Sequence, residues 1–271
     1  MDQTIEITSW LQNLSRHKVQ RDKGWVLSQE VAQRLMDRLA GIKIHPERIL
    51  NITACSHILE PSLKQSFPQS QTTTLDLLSL PLPSLSFGCE SKSVDLIISN
   101  LAFYWVDDLL ALFQEIQRVL KPGGLLLFTT LGPDTLLPLR QAWQAVDDMP
   151  HVHHFWDLHD IGDALLYTSF ADPVMDVERL TIEYGQLADL WQDLKSQGET
   201  NCLIARRKTL TGLRRWRAML EQLDMLKAGQ YQIPFEINYG QAWGVDFAKT
   251  KPNNDNAEVL VDVASIKKYK Q

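Results

Sequence analysis

Apolar residues recur along this chain in two periods, one suited to strands and one to helices. Residues 94–99 (VDLIIS) and 125–130 (LLLFTT) are short, mostly apolar runs, the pattern of strands covered on both faces of a parallel sheet. Between them Leu109, Leu110, Leu112, Phe113, Ile116, Val119 and Leu120 return at helical spacing. Pro122, Gly123 and Gly124 are expected to end that helix. The unit 93–131 therefore predicts strand, helix, strand.

Upstream, Val26, Val31, Leu35, Met36 and Leu39 mark an amphipathic helix over 25–39. A strand over 49–53, a helix over 59–67 and a β-branched strand over 72–75 closing on Asp76 follow. Residues 77–92 (LLSLPLPSLSFGCESK) are broken by Pro81 and Pro83 and read as a connector with room for one short strand. Downstream the pattern predicts a helix over 133–146, a loop MPHVHHFWD, a helix over 158–167 and a strand over 169–184. Helices over 185–194 and 210–226 precede a last strand over 230–243, where Tyr231, Phe235, Tyr239 and Trp243 recur every fourth residue. The acid-studded stretch 174–182 suits an outer strand of a mixed sheet. The N-terminus predicts a short helix over 4–14 and then a mobile charged arm.

This alternation gives an α/β fold in one domain over 1–246, with an N-terminal helical arm (1–41) and small helical cap elements within 148–226. Residues 247–271, with KTKPNNDN near their start, form a C-terminal extension. At 271 residues and 44% hydrophobic, the chain can bury one substantial core. A net charge of −6 argues against nucleic acid or an anionic membrane as partner. Cys55, Cys89 and Cys202 are few, odd in number and far apart, so no disulfide framework or metal-binding pair is expected. With no signal-type segment and no long apolar run, a soluble, cytoplasmic protein is expected. The His151, His153, His154 and His159 group lacks a metal-ligand scaffold, and no metal is expected. Cys55 and His57 have no third group to orient them, so no catalytic residue is assigned.

Three segments in order, ISNLAFYW, VLKPGGLLLFTTLG and LRQAWQAVDDMPH, resemble the class I S-adenosylmethionine methyltransferases, most closely the malonyl-acyl-carrier-protein O-methyltransferases of biotin synthesis. LKSQGETN (194–201) and YGQAWG (239–244) are similar to the far half of that family. The resemblance implies a Rossmann-like sheet of seven strands with S-adenosylmethionine at the carboxyl ends of the first strands. It implies a malonyl group on acyl carrier protein as substrate and partner. Asn51, Thr53, Cys55, Asp76, Asn100, Leu101 and Trp105 are the implied cofactor-binding residues. Arg206 and Arg207 are candidates for the substrate carboxylate or the acidic carrier. Arg214, Arg215 and Arg217 add a basic helix face, which reads more readily as a solvated one.

The chain departs from the family pattern in three places. Where the family has a glycine-rich turn after the first strand, residues 49–57 read ILNITACSH. Thr53, Cys55 and His57 replace glycines, and Asn51 replaces the leading acid. A side chain forced into a glycine-only backbone costs about 1–3 kcal/mol, against about 8 kcal/mol for micromolar binding. Weak or lost cofactor binding is expected unless the loop relaxes. Asp76, 25 residues after Asn51, matches both the family's ribose-binding acid and a later acid that precedes a Leu-Pro pair, here Leu80 and Pro81. A missing helix-strand unit after Asp76 accounts for both matches. A family tyrosine in the N-terminal helix falls on Arg21.

Methylating a carboxylate needs alignment and desolvation more than a general base, so the lack of a dyad is uninformative. Two readings stand: a carboxyl methyltransferase, or an inactive paralogue that keeps the fold as a binding or regulatory partner.

Overall fold

A computed structural model of the chain describes residues 5, 6, 9, 26–54, 58–77, 80, 85–196, 200–225 and 230–245. The predicted N-terminal helix and arm fall largely outside the described residues, as do Arg21, Cys55, His57 and the C-terminal extension. Helix α1 (Val26–Ala40) leads into β1 (Arg48–Thr53), α2 (Leu59–Ser66) and β2 (Gln71–Asp76). Next come β3 (Val94–Ser99), a 3₁₀ turn (Phe103–Trp105), α3 (Leu109–Val119) and β4 (Leu120–Leu131). Helices α4 (Leu137–Gln144) and α5 (Leu158–Tyr167), strand β5 (Ala171–Tyr184), helices α6 (Leu187–Ser196) and α7 (Leu213–Met225) and strand β6 (Tyr231–Trp243) complete the order.

The strands form one sheet in the order β2-β1-β3-β4-β6-β5. The first four run parallel, and β6 is antiparallel to both β4 and β5. Leu96, Ile97, Ile98, Leu125, Leu126 and Phe128 are fully buried, so the middle strands are covered on both faces. Strand β5 alternates half-buried and exposed positions, as its acid-studded sequence predicts for an edge. Strand β2 is the other edge, and the chain leaves it through a connector with no strand among its described residues. The connector is pinned to α3: the Phe87 amide donates to Glu115 (2.7 Å), and Arg118 donates to the Cys89 carbonyl (2.9 Å). The sheet thus has six strands among the described residues, and the unit implied after Asp76 is missing from the β2 edge.

The KPGG segment corrects a prediction. Pro122, Gly123 and Gly124 do not terminate the helix, which already ends at Val119, and Leu120 is extended and paired with Val94. The next pair is Leu96 with Leu125, so residues 121–124 bulge out opposite Asp95. Gly123 takes φ +74°, a conformation open to glycine. Its amide donates to the Gly244 carbonyl (2.8 Å) and Gly244 donates to Gly124 (2.9 Å). Lys121 pairs with Asp95 at 2.7 Å, and Asp95 also accepts from the Arg48 amide at 2.9 Å. Burial works against ionising Asp95, but these partners outweigh it and hold its carboxyl below the usual range. Gly240 in the YGQAWG segment has an equally local reason: a Cβ there would lie 2.2 Å from the Phe128 ring.

The helix predicted over 133–146 is shortened to α4 because its first turn belongs to β6. The Asp134 amide donates to the Glu236 carboxylate (2.9 Å) and the Leu136 amide to the Pro234 carbonyl (2.9 Å). Helix α1 lies across the sheet, with Leu27, Val31, Leu35 and Leu39 buried and Arg38 paired to Asp176 at 2.7 Å. Phe103, Phe113 and Phe128 form a ring cluster behind β3 and β4, with Phe103 and Phe128 centred 5.1 Å apart.

Candidate functional site

Thr53 and Asp76 stand opposite one another in register at the carboxyl ends of β1 and β2. Asn51 is buried, and its amide lies 3.4 Å from the Thr74 hydroxyl, which donates to Glu60 at 2.6 Å. At the end of β3, Asn100 donates to the Ser28 carbonyl (3.0 Å) and accepts from the Thr129 hydroxyl (3.0 Å). That hydroxyl accepts from the Leu101 amide at 2.9 Å. The chain of bonds holds Leu101 at φ +47°, a left-handed conformation unusual for leucine. Asn100 thus has both ends of its amide engaged within the protein and orients the turn that carries Tyr104 and Trp105. Ser99 Oγ, buried at the same strand end, has no partner among the described residues.

Beyond the ends of β3 and β4 lies a cavity of about 360 Å³. Tyr104 and Trp105 wall it on the β3 side and Leu136 on the β4 side, with Trp143, Trp191 and Trp216 from α4, α6 and α7 opposite. The Trp191 and Trp216 rings are 5.3 Å apart, and Trp143 stacks on His151 at 3.8 Å. His153 meets Trp105 edge-on at 5.3 Å and lies 3.5 Å from the Cys202 sulfur. Burial pushes its pKa down to about 4, so it is neutral at pH 7. Arg140 fixes this wall by donating to the carbonyls of Pro133 (2.8 Å) and His153 (3.0 Å). Of the predicted cofactor residues that are described, Trp105 alone lines this cavity, and Cys55 lies outside the described residues. The tryptophan wall was not anticipated from the sequence, although Trp143 lies within the QAWQAVD segment.

Arg206 and Arg207 are both held inside the fold. Arg206 pairs with Glu6 and donates to Ser9 (2.8 Å), tying the N-terminal segment to the 200–208 loop, where the Glu6 amide also donates to the Cys202 carbonyl (2.7 Å). Ser9, Lys208 and Arg206 hold the Glu6 carboxyl down at about 2. Arg207 pairs with Asp147 at 3.2 Å, a carboxylate that His151 reaches at 2.9 Å and Arg215 at 3.7 Å. Burial opposes ionisation of Asp147, but His151, the Met149 amide and Arg207 together hold its pKa below the usual range. Asp147→Asn is expected to cost about 2 kcal/mol, the scale of a hydrogen bond to a charged group, read from the urea midpoint at pH 7. Among the described residues no group of three or more His, Cys, Asp or Glu could hold a metal.

A mostly parallel sheet with polar groups at its carboxyl ends and an aromatic cavity beside them defines a Rossmann-like α/β protein with a ligand site at the strand ends. The crystal structure of a Bacillus halodurans protein assigned as a methyltransferase shares this fold, with a TM-score of 0.51 and 13% identity over 79% of this chain and 99% of its own. A family model described as a methyltransferase domain matches residues 16–171. The malonyl-[acyl-carrier protein] O-methyltransferase of Gallionella capsiferriformans is 36% identical over 97% of this chain and 98% of its own length. That of Coxiella burnetii is 37% identical over 90% of each. The chain belongs to the malonyl-[acyl-carrier protein] O-methyltransferase family of S-adenosylmethionine-dependent methyltransferases.

The described residues fit the cofactor at the ends of β2 and β3. Asp76 ends β2, Leu101 presents a left-handed backbone after β3, and Ser99 has a buried hydroxyl with no partner among the described residues. At the end of β1, Thr53 and Ala54 stand where the family pattern has a glycine-rich turn.

Proposed function

We propose that this protein transfers a methyl group from S-adenosylmethionine to the free carboxylate of a malonyl group carried on acyl carrier protein. The observation that carries the reading is the aromatic cavity opening beside the carboxyl ends of β3 and β4, in a chain whose relatives are named for this reaction. The cofactor, when bound, supplies an electrophilic methyl on a sulfonium. Asn51, Thr53 and Asp76 at the ends of β1 and β2, with Asn100, Leu101 and Trp105 after β3, hold and orient it. The acceptor carboxylate is already ionised at neutral pH, so the protein's task is to strip water and align the two groups. A cavity walled by Trp143, Trp191 and Trp216 suits that task. Helices α6 and α7, the cap elements within 148–226, close over the cavity through Trp191 and Trp216.

The carrier, an acidic protein, meets the exposed face of α7. Arg214 and Arg217 are exposed there beside Leu213, and Leu210 just before the helix is also exposed. Steering by such a patch weakens with salt. Thr53 in place of a glycine favours one rival, a partner protein that binds the carrier without methylating it. Labelled methyl transfer from S-adenosylmethionine to malonyl-acyl carrier protein separates the two. An ester product that requires the malonyl group is expected, and a carrier that binds but stays unlabelled refutes the enzymatic reading.

A further inference from the structure

The cavity contains a polar atom that the fold leaves unsatisfied. Among the polar side chains lining it, His151 is bonded to Asp147, and His153 meets Cys202. Asn201 donates to the Pro150 carbonyl at 2.6 Å and accepts from the Leu203 amide at 3.2 Å. The Thr200 hydroxyl is buried and has no hydrogen-bond partner among the described residues. A buried hydroxyl with no partner carries a desolvation penalty that a bound ligand removes. Around it stand the rings of Trp143, Trp191 and Trp216, which give the cavity area and shape. Lys195 is exposed and also lines the cavity, offering an ammonium to an anionic end of the ligand.

We infer that the Thr200 hydroxyl is a specificity-determining contact of this cavity, donating to a carbonyl oxygen of a thioester-linked acceptor arm. The inference deepens the proposed function and rests on it for the identity of the acceptor. The aliphatic stem of the arm packs on the tryptophans, while the hydroxyl distinguishes a carbonyl-bearing chain from a plain hydrocarbon of similar size. Thr200 touches no reacting atom in this role. It positions the acceptor, and its removal acts on binding rather than on the methyl-transfer step.

The cavity tryptophans supply a readout that needs no turnover. Titrating the full chain with malonyl-pantetheine and following tryptophan fluorescence is expected to give a saturable change. Thr200→Val, which keeps the shape and removes the hydroxyl, is expected to weaken that binding about 3- to 10-fold, and Thr200→Ser to restore it. In the transfer assay the valine variant should raise KM by the same factor with kcat within about twofold, and its affinity for S-adenosylhomocysteine should not change. Equal binding by wild type and Thr200→Val overturns the inference, as does a wild type that shows no fluorescence change, or a serine variant as weak as the valine one. Binding with the expected Thr200 dependence but without any methyl transfer leaves the contact standing and refutes the proposed reaction instead.

Discussion

Between about pH 6.5 and 4 the protein is expected to lose stability at about 1.4 kcal/mol per pH unit from a single buried ring. His153 is neutral in the fold because burial holds its pKa at about 4, whereas an unfolded chain protonates the same side chain near 6.5. In that window the unfolded state binds the extra proton. His153 therefore imposes no penalty above pH 6.5, and stability falls as the pH drops towards 4. Urea midpoints at pH 7, 6 and 5 read the slope directly. His153→Asn should give a flatter curve over the same range, whatever its absolute stability. A wild-type curve that is flat from pH 6.5 to 5 contradicts the burial assigned to this ring. Asp147 adds a separate loss lower down: its carboxyl is held below the usual carboxylate range, so the stability of its pairs is present at neutral pH and is lost as acid protonates it.

Asp76→Ala is expected to weaken S-adenosylhomocysteine binding about 10- to 100-fold, the range of a hydrogen bond made by a charged group, about 1.5–3 kcal/mol. The motivation is geometric: Asp76 ends the edge strand β2, partly exposed, in register with Thr53 at the end of β1. Calorimetric titration of both proteins measures the ratio. Circular dichroism and the urea midpoint should be little changed, because Asp76 is not part of the core. An alanine variant that binds as tightly as wild type removes Asp76 from the cofactor site.

The parallel half of the fold was legible because its signals are local. Continuous apolar runs at 94–99 and 125–130 are buried on both faces of the sheet, and the helix over 158–167 matches α5 at both ends. Asp157 accepts from the His159 amide at 2.8 Å and caps it. What misled was punctuation whose meaning depends on distant partners. Pro122, Gly123 and Gly124 have the composition of a helix stop, but Asp95 and Gly244 make them a bulge within β4. The first turn of the predicted helix over 133–146 is drawn away by Glu236, about a hundred residues later. At the site, sequence identified the strand ends that carry Thr53, Asp76 and Asn100 but not which side chains the fold had already engaged. Arg206 and Arg207 had the right charge for a substrate carboxylate, and only folding pairs them with Glu6 and Asp147. Thr200 lay within LKSQGETN, a segment similar to the family, but nothing in the sequence marked its hydroxyl until the cavity formed around it.

The central claim is that this chain uses S-adenosylmethionine although Thr53, Cys55 and His57 stand where its family pattern has glycines. The most direct test is the thermal stability of the purified full chain with and without millimolar S-adenosylmethionine. A ligand at about 100 times its dissociation constant stabilises by about 2.7 kcal/mol, which for a domain of this size corresponds to a rise of roughly 5–10 °C. The account expects a saturable rise of that order, reproduced by S-adenosylhomocysteine. No rise with either ligand at millimolar concentration contradicts it.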